Sequence, residues 1–145
     1  CRASSWGGCG ATIRTTTRRI NKSRVVMAKY ESEVKAIIER GANMVRNTAV
    51  KSIQQHQSQG VTYGNHTAST AGNPPNSDTG YLASNIFVKK DNNGEGASVE
   101  SRADYSEALE FGTSKMGARP FLQPALEENR RKIIQMYAKL KARGA

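Results

Sequence analysis

From Met27 to Ile53 the apolar residues Met27, Tyr30, Val34, Ile37, Ile38, Val45, Ala49 and Ile53 recur at three- and four-residue spacing. That period belongs to an α-helix and lays one stripe along it for burial. Lys29, Glu31, Glu33, Lys35, Glu39, Arg40, Arg46 and Lys51 fall on the other faces. Gly41 interrupts the pattern at roughly 1 kcal/mol relative to alanine, so it marks close packing or a slight bend. A helix this long dominates a chain of 145 residues, which is the size of one domain. Only 37% of the residues are hydrophobic, so the core is small. Long helices with so little apolar material complete their burial against copies of themselves or a partner, and oligomerisation is expected. No run approaches the ~20 apolar residues that a membrane span needs.

The remaining sequence predicts an α+β fold: a long N-terminal helix, a small antiparallel β-sheet built on a hairpin, a short helix and a C-terminal helix. Residues 1–20 mix glycines and threonines with arginines, show no apolar period, and read as a flexible basic arm. Residues 21–145 then form a single domain. Within it, residues 57–77 are rich in Gln, Ser, Gly, Asn and Thr and contain Pro74-Pro75, which predicts a long polar loop. Asp78 reads as the cap of a short turn over 79–84. Ile86-Phe87-Val88 and residues 97–101 read as strands around an Asp91-Asn92-Asn93-Gly94 turn. A third strand is expected from residues 113–118 or from a neighbouring subunit. Residues 103–111 suit a short helix with Tyr105, Ala108, Leu109 and Phe111 buried. The closing helix spans about 120–143 with a stripe of Leu122, Leu126, Ile133, Met136, Tyr137 and Leu140. Glu127 and Glu128 lie early in it and the cations late, which complements its dipole.

Net charge is +10, and its distribution is uneven. Residues 1–24 carry six basic residues and no acidic one, among them Arg14, Arg18 and Arg19; residues 130–145 repeat that balance, opening with Arg130, Arg131 and Lys132. The middle holds ten basic and twelve acidic residues. Basic ends on a near-neutral body suit an anionic partner, DNA or an acidic protein ring, or else serve as solvated flanks. They lack the aromatic interleaving of a single-strand platform, and no helix-turn-helix or zinc-finger pattern is present.

Catalytic motifs fail on context. Asp78-Thr79-Gly80 is the tripeptide of aspartic proteases, but Asn73-Pro74-Pro75-Asn76-Ser77 precedes it where an apolar strand is needed, and Tyr81-Leu82 follows where a small residue is usual. Gly112-Thr113-Ser114-Lys115 lacks the first glycine of a phosphate loop. Glu107 and Glu110 stand one turn apart without a pocket pattern. His56 and His66 have neither nucleophile nor zinc spacing around them, and Cys1 and Cys9 cannot complete a four-ligand zinc site; they read as free thiols, with a disulfide closing the short loop between them as the alternative. The chain start carries no apolar signal-peptide core. The expectation is a non-enzyme with no cofactor and no metal.

Residues 101–126 are more specific in order than composition or period requires. They contain Tyr105, then Glu110-Phe111-Gly112-Thr113, a Lys115-Met116 loop, Ala118, Pro120-Phe121-Leu122 and Pro124-Ala125; upstream lie Asp78-Thr79-Gly80-Tyr81-Leu82, Ser84 and Ile86. Over residues 78–126 this resembles the tail-completion, or head–tail joining (neck), proteins of long-tailed bacteriophages. Ser106 departs from it, standing where alanine is usual. The resemblance implies a virion protein that forms a ring, sixfold by the family pattern, completing the tail and meeting the head connector or adaptor and the tail tube or terminator. DNA would pass through the bore without sequence-specific contact. The location implied is the virion neck, and the host cytoplasm during assembly. On this reading Asp78, Gly80, Tyr105, Phe111, Gly112, Pro120 and Phe121 define the fold, and Glu110, Thr113, Lys115, Met116 and Arg119 are offered to a neighbour. Phe111, Phe121 and Leu122 also read as plain core packing. The alternative from a different class is a basic DNA-associated protein acting in packaging or regulation.

Overall fold

The computed structural model describes residues 2–55, 60–64 and 66–144, with side chains over 24–55, 60–64 and 66–143. Its fold mixes helix and strand. In chain order come α1 (Arg2–Gln55), β1 (Thr62–Tyr63), β2 (His66–Thr67), α2 (Tyr81–Ser84), β3 (Ile86–Lys90), β4 (Ala97–Ser101), α3 (Ser106–Phe111) and α4 (Leu122–Gly144). β1 pairs with β2 and β3 with β4, both antiparallel, in two separate two-stranded sheets.

α1 packs antiparallel along α4, and its C-terminal half carries the core. Val45, Ala49 and Ile53 are buried there with Leu82 and Ala83 of α2, Ile86 of β3, Ala103, and Phe121 and Ala125 at the start of α4. Asn129 is buried on α4, where its amide donates to Thr48 Oγ1 on α1 and to the Ala125 carbonyl, each at 2.8 Å. One turn on, Gly41 admits the Ile133 side chain, since a Cβ there would stand 3.1 Å from Ile133 Cγ1. The glycine in the stripe therefore marks close packing.

The stripe is buried over only part of its length. Val25, Val26, Met27 and Tyr30 are 68%, 58%, 59% and 40% exposed, because α4 reaches no farther along α1 than the segment 33–40, where Met136, Lys139, Leu140 and Arg143 meet it. Helical backbone also runs back to Arg2, through the stretch read as a flexible arm. Elongating an existing helix avoids the cost of nucleation, while the glycines and threonines of this stretch make each added residue less favourable than alanine.

Three further expectations change. The described part of the long polar loop contains the β1–β2 hairpin, and it is tied down where the Gly72 N–H donates to the Ala118 carbonyl at 2.8 Å and Asn76 Nδ2 to the Thr67 carbonyl at 2.8 Å. Asp78 makes no cap hydrogen bond to α2. The N-cap position is Gly80, at φ 75°, which has no side chain to cap with and adopts a left-handed conformation that favours glycine. Residues 113–118 add no third strand to the β3–β4 sheet. They close on themselves through a single Thr113–Met116 bridge, since two residues between partners leave no length for a ladder.

The main hairpin forms as read, in the register Ile86–Ser101 to Lys90–Ala97, and is fastened to α1 where Arg46 Nε donates to the Ile86 carbonyl at 2.9 Å. Among the described residues no helix is long and apolar enough to cross a membrane.

Candidate functional site

α3 ends in a junction that sets α4 in place. Gly112 closes α3 by donating its N–H to the Ala108 carbonyl at 2.9 Å, and the chain leaves at φ 77°, ψ 174°. It then makes the tight 113–116 turn and returns, where the Arg119 N–H donates to the Leu109 carbonyl at 2.6 Å. Glu110 is thereby brought to the first turn of α4. Its Oε2 accepts from the Phe121 N–H at 2.9 Å and the Leu122 N–H at 3.1 Å, and Oε1 accepts from the Gln123 N–H at 2.9 Å. Three N–H groups that have no partner within the helix are satisfied by one carboxylate, whose charge also complements the positive end of the helix dipole. Glu110, grouped by sequence with the interface residues, is thus engaged within its own chain. Glu110→Ala is expected to cost about 2 kcal/mol, or about 6 °C in melting temperature, with Glu110→Gln intermediate. Thermal unfolding followed by circular dichroism checks this.

The other motif residues separate into framework and surface. Phe121 is 1% exposed and central to the core. Pro120 precedes α4 and is partly buried. Tyr105 is 46% exposed; its ring lies 6.2 Å from that of Tyr81, and burial, then Tyr81 and Asp78, raise its phenol above the ordinary value. Asp78 is solvent-facing, 3.8 Å from His66 Nδ1. Thr113 and Lys115 are exposed, while Met116 and Arg119 are partly buried and joined by an Arg119 Nη1 to Met116 Sδ contact of 3.2 Å.

Phe111 departs most from expectation. Read as a buried member of α3, it is 76% exposed. Leu109 packs against the core and Glu110 turns to α4, while the Phe111 side chain projects to solvent at the end of α3. Leu126, read into the α4 stripe, is 50% exposed, and Asn129 holds the buried position one turn later. A four-residue repeat of Ala125 and Asn129 faces α1, so the polar member of the face hid it from an apolar pattern.

Phe111 and Leu126 lie on the rim of an apolar groove of about 700 Å³. Its floor and walls include Ile38 and Val45 of α1, Val99 of β4, and Leu122, Ile133 and Tyr137 of α4. Along one side runs β4, whose far edge pairs with no other strand among the described residues. The charged residues lining the groove are Glu95, Glu107 and Glu110, with no lysine, arginine or histidine. A concave apolar surface next to a free strand edge suits protein contact through side-chain burial and strand addition.

The anionic-partner candidates lie elsewhere. Arg130, Arg131 and Lys132 are exposed on α4, with Arg130 Nη1 3.6 Å from Glu127 Oε2. Arg14, Arg18 and Arg19 lie on the helical backbone of α1, but their side chains, like the thiols of Cys1 and Cys9 and all of His56, fall outside what is described. Among the described residues no cluster of three or more His, Cys, Asp or Glu is placed to hold a metal.

No protein-family model, curated protein or solved structure matches the chain.

Proposed function

We propose that this protein is a non-enzymatic structural component of a long-tailed phage neck, a subunit whose copies close into a ring that completes the tail and joins it to the head connector. The observation that carries the reading is Phe111, 76% exposed within the segment that resembles the neck proteins and on the rim of an apolar groove. A bare aromatic beside concave apolar surface is stabilised by covering, and contact between subunits supplies the cover. Thr113 and Lys115, exposed on the turn that follows, extend the same edge. The ring would be sixfold by resemblance, with DNA in its bore.

Native mass spectrometry with electron microscopy of the purified chain is expected to show closed rings. Phe111→Ser should leave stability within about 0.5 kcal/mol, as for other exposed substitutions, and weaken assembly at least tenfold. A variant that assembles normally would remove Phe111 from the interface.

The second reading, a basic DNA-associated protein, is favoured by the exposed Arg130-Arg131-Lys132 run. It requires tight binding of the isolated monomer to random duplex DNA that falls steeply with salt. Titration of binding against salt concentration separates it from the ring.

A further inference from the structure

Among the described residues, one exposed apolar helix face and one apolar groove are complementary. One is convex: Val25, Val26, Met27 and Tyr30 on the part of α1 beyond the reach of α4. The other is the groove bounded by Phe111 and Leu126. Their charges are opposite. Residues 22–30 carry Lys22, Arg24 and Lys29 with no acidic residue, while the groove is lined by glutamates and no cation, within a chain of net charge +10. The segment cannot reach the groove of its own chain. Val25 lies thirteen residues from Ile38, about 20 Å along the same continuous helix whose side chains floor that groove.

We infer that the Val25–Tyr30 face of α1 docks into the Phe111–Leu126 groove of a neighbouring copy, an inference that rests on the ring reading and names its subunit contact. Val26, Met27 and Tyr30 fall at one-, three- and four-residue spacing, so they present one helix face to the apolar floor. Lys29 then meets the glutamates of the rim, Glu95 and Glu107. The contact is head-to-tail: each copy offers one helix face and one groove, and an open chain of copies leaves one of each bare. Closure into a ring removes both bare ends.

Disulfide trapping in the full-length chain tests this. With Cys1→Ser and Cys9→Ser as background, Val26→Cys and Leu126→Cys in one chain are expected to give, under mild oxidation, a ladder of covalent multimers ending at the ring number. Either cysteine alone, or Lys115→Cys paired with Leu126→Cys, should give no ladder. Adding Glu95→Lys and Glu107→Lys, both at exposed positions, should lower the ladder yield at least tenfold. Rings seen by native mass spectrometry without a Val26–Leu126 ladder would overturn this contact and leave the ring reading standing. Absence of any assembly by the unsubstituted chain under the same conditions would overturn both.

Discussion

Phe121→Ala is expected to lower the unfolding free energy by about 4 kcal/mol and the melting temperature by about 12 °C. Among the described residues Phe121 is the largest fully buried side chain, 1% exposed, where the start of α4 meets Val45, Ala49 and Ile53 of α1, Leu82 of α2 and Ile86 of β3. Its removal costs the transfer of an aromatic ring to water and leaves a void. That void cannot collapse easily, because the backbone on both sides is fixed: Glu110 holds the Phe121 N–H, and Arg46 holds β3 to α1. Phe121→Leu should cost less than half as much, since most of the volume remains. Urea unfolding followed by fluorescence and circular dichroism measures both. Phe111→Ala, ten residues earlier, should change stability by no more than about 0.5 kcal/mol. Equal losses at the two positions would contradict the burial assigned to them.

Gly112→Ala is expected to cost about 3 kcal/mol and to loosen α4 as well as α3. At φ 77° and ψ 174° the residue occupies a backbone region that is essentially restricted to glycine, at a cost of about 1–3 kcal/mol for any other residue. A Cβ would also stand 2.8 Å from the Ala118 nitrogen and 3.0 Å from the Met116 carbonyl oxygen. Both are backbone atoms, fixed by the 113–116 turn, so the clash cannot be relieved by a side-chain rotation. The chain must open there, and the path from α3 to α4 changes. Because Glu110 caps α4 from two residues before this glycine, the substitution should also uncap the helix. Hydrogen exchange at the amides of Phe121, Leu122 and Gln123 should accelerate in Gly112→Ala as it does in Glu110→Ala. Unchanged protection there would show that the reversal and the cap are independent.

The helices and the main hairpin were legible because their signals are local. Met27 to Ile53 carries the helical period over many turns, and the Asp91–Gly94 turn separates two short strand-forming runs. The α4 stripe was legible in part: Ile133, Met136, Tyr137 and Leu140 lie on the packed side, but the face swings from Leu126 to Asn129. An asparagine that binds Thr48 across the helix pair looks like any surface residue until its partner is known. The Glu110 cap was hidden for a related reason. Capping patterns read within three or four residues, and this carboxylate acts 11 to 13 residues downstream by way of a glycine reversal. Phe111 reads as core because it is an aromatic at the end of a short amphipathic helix, and its exposure shows only once the packing of α3 on the core is known. The exposed end of the α1 stripe has no sequence marker at all. Period alone says that a face is apolar, and the length of α4 decides how much of it finds cover.

The antiparallel seating of α4 on α1 has a consequence for how the molecule meets charged surfaces. Thr48 faces Asn129, and residues 33–40 face 136–143, so the last turns of α4 lie toward the amino-terminal end of α1. Lys139, Lys141 and Arg143, far in sequence from the basic stretch 1–24, therefore lie toward the same end of α1 as that stretch. Such a molecule is more positive toward one pole. An anionic surface will turn it pole-first before any contact forms, within a range set by a screening length of about 8 Å at physiological salt. Raising the salt should remove that orientation while leaving the apolar part of the groove contact in place, so approach and attachment are governed largely by different parts of the chain.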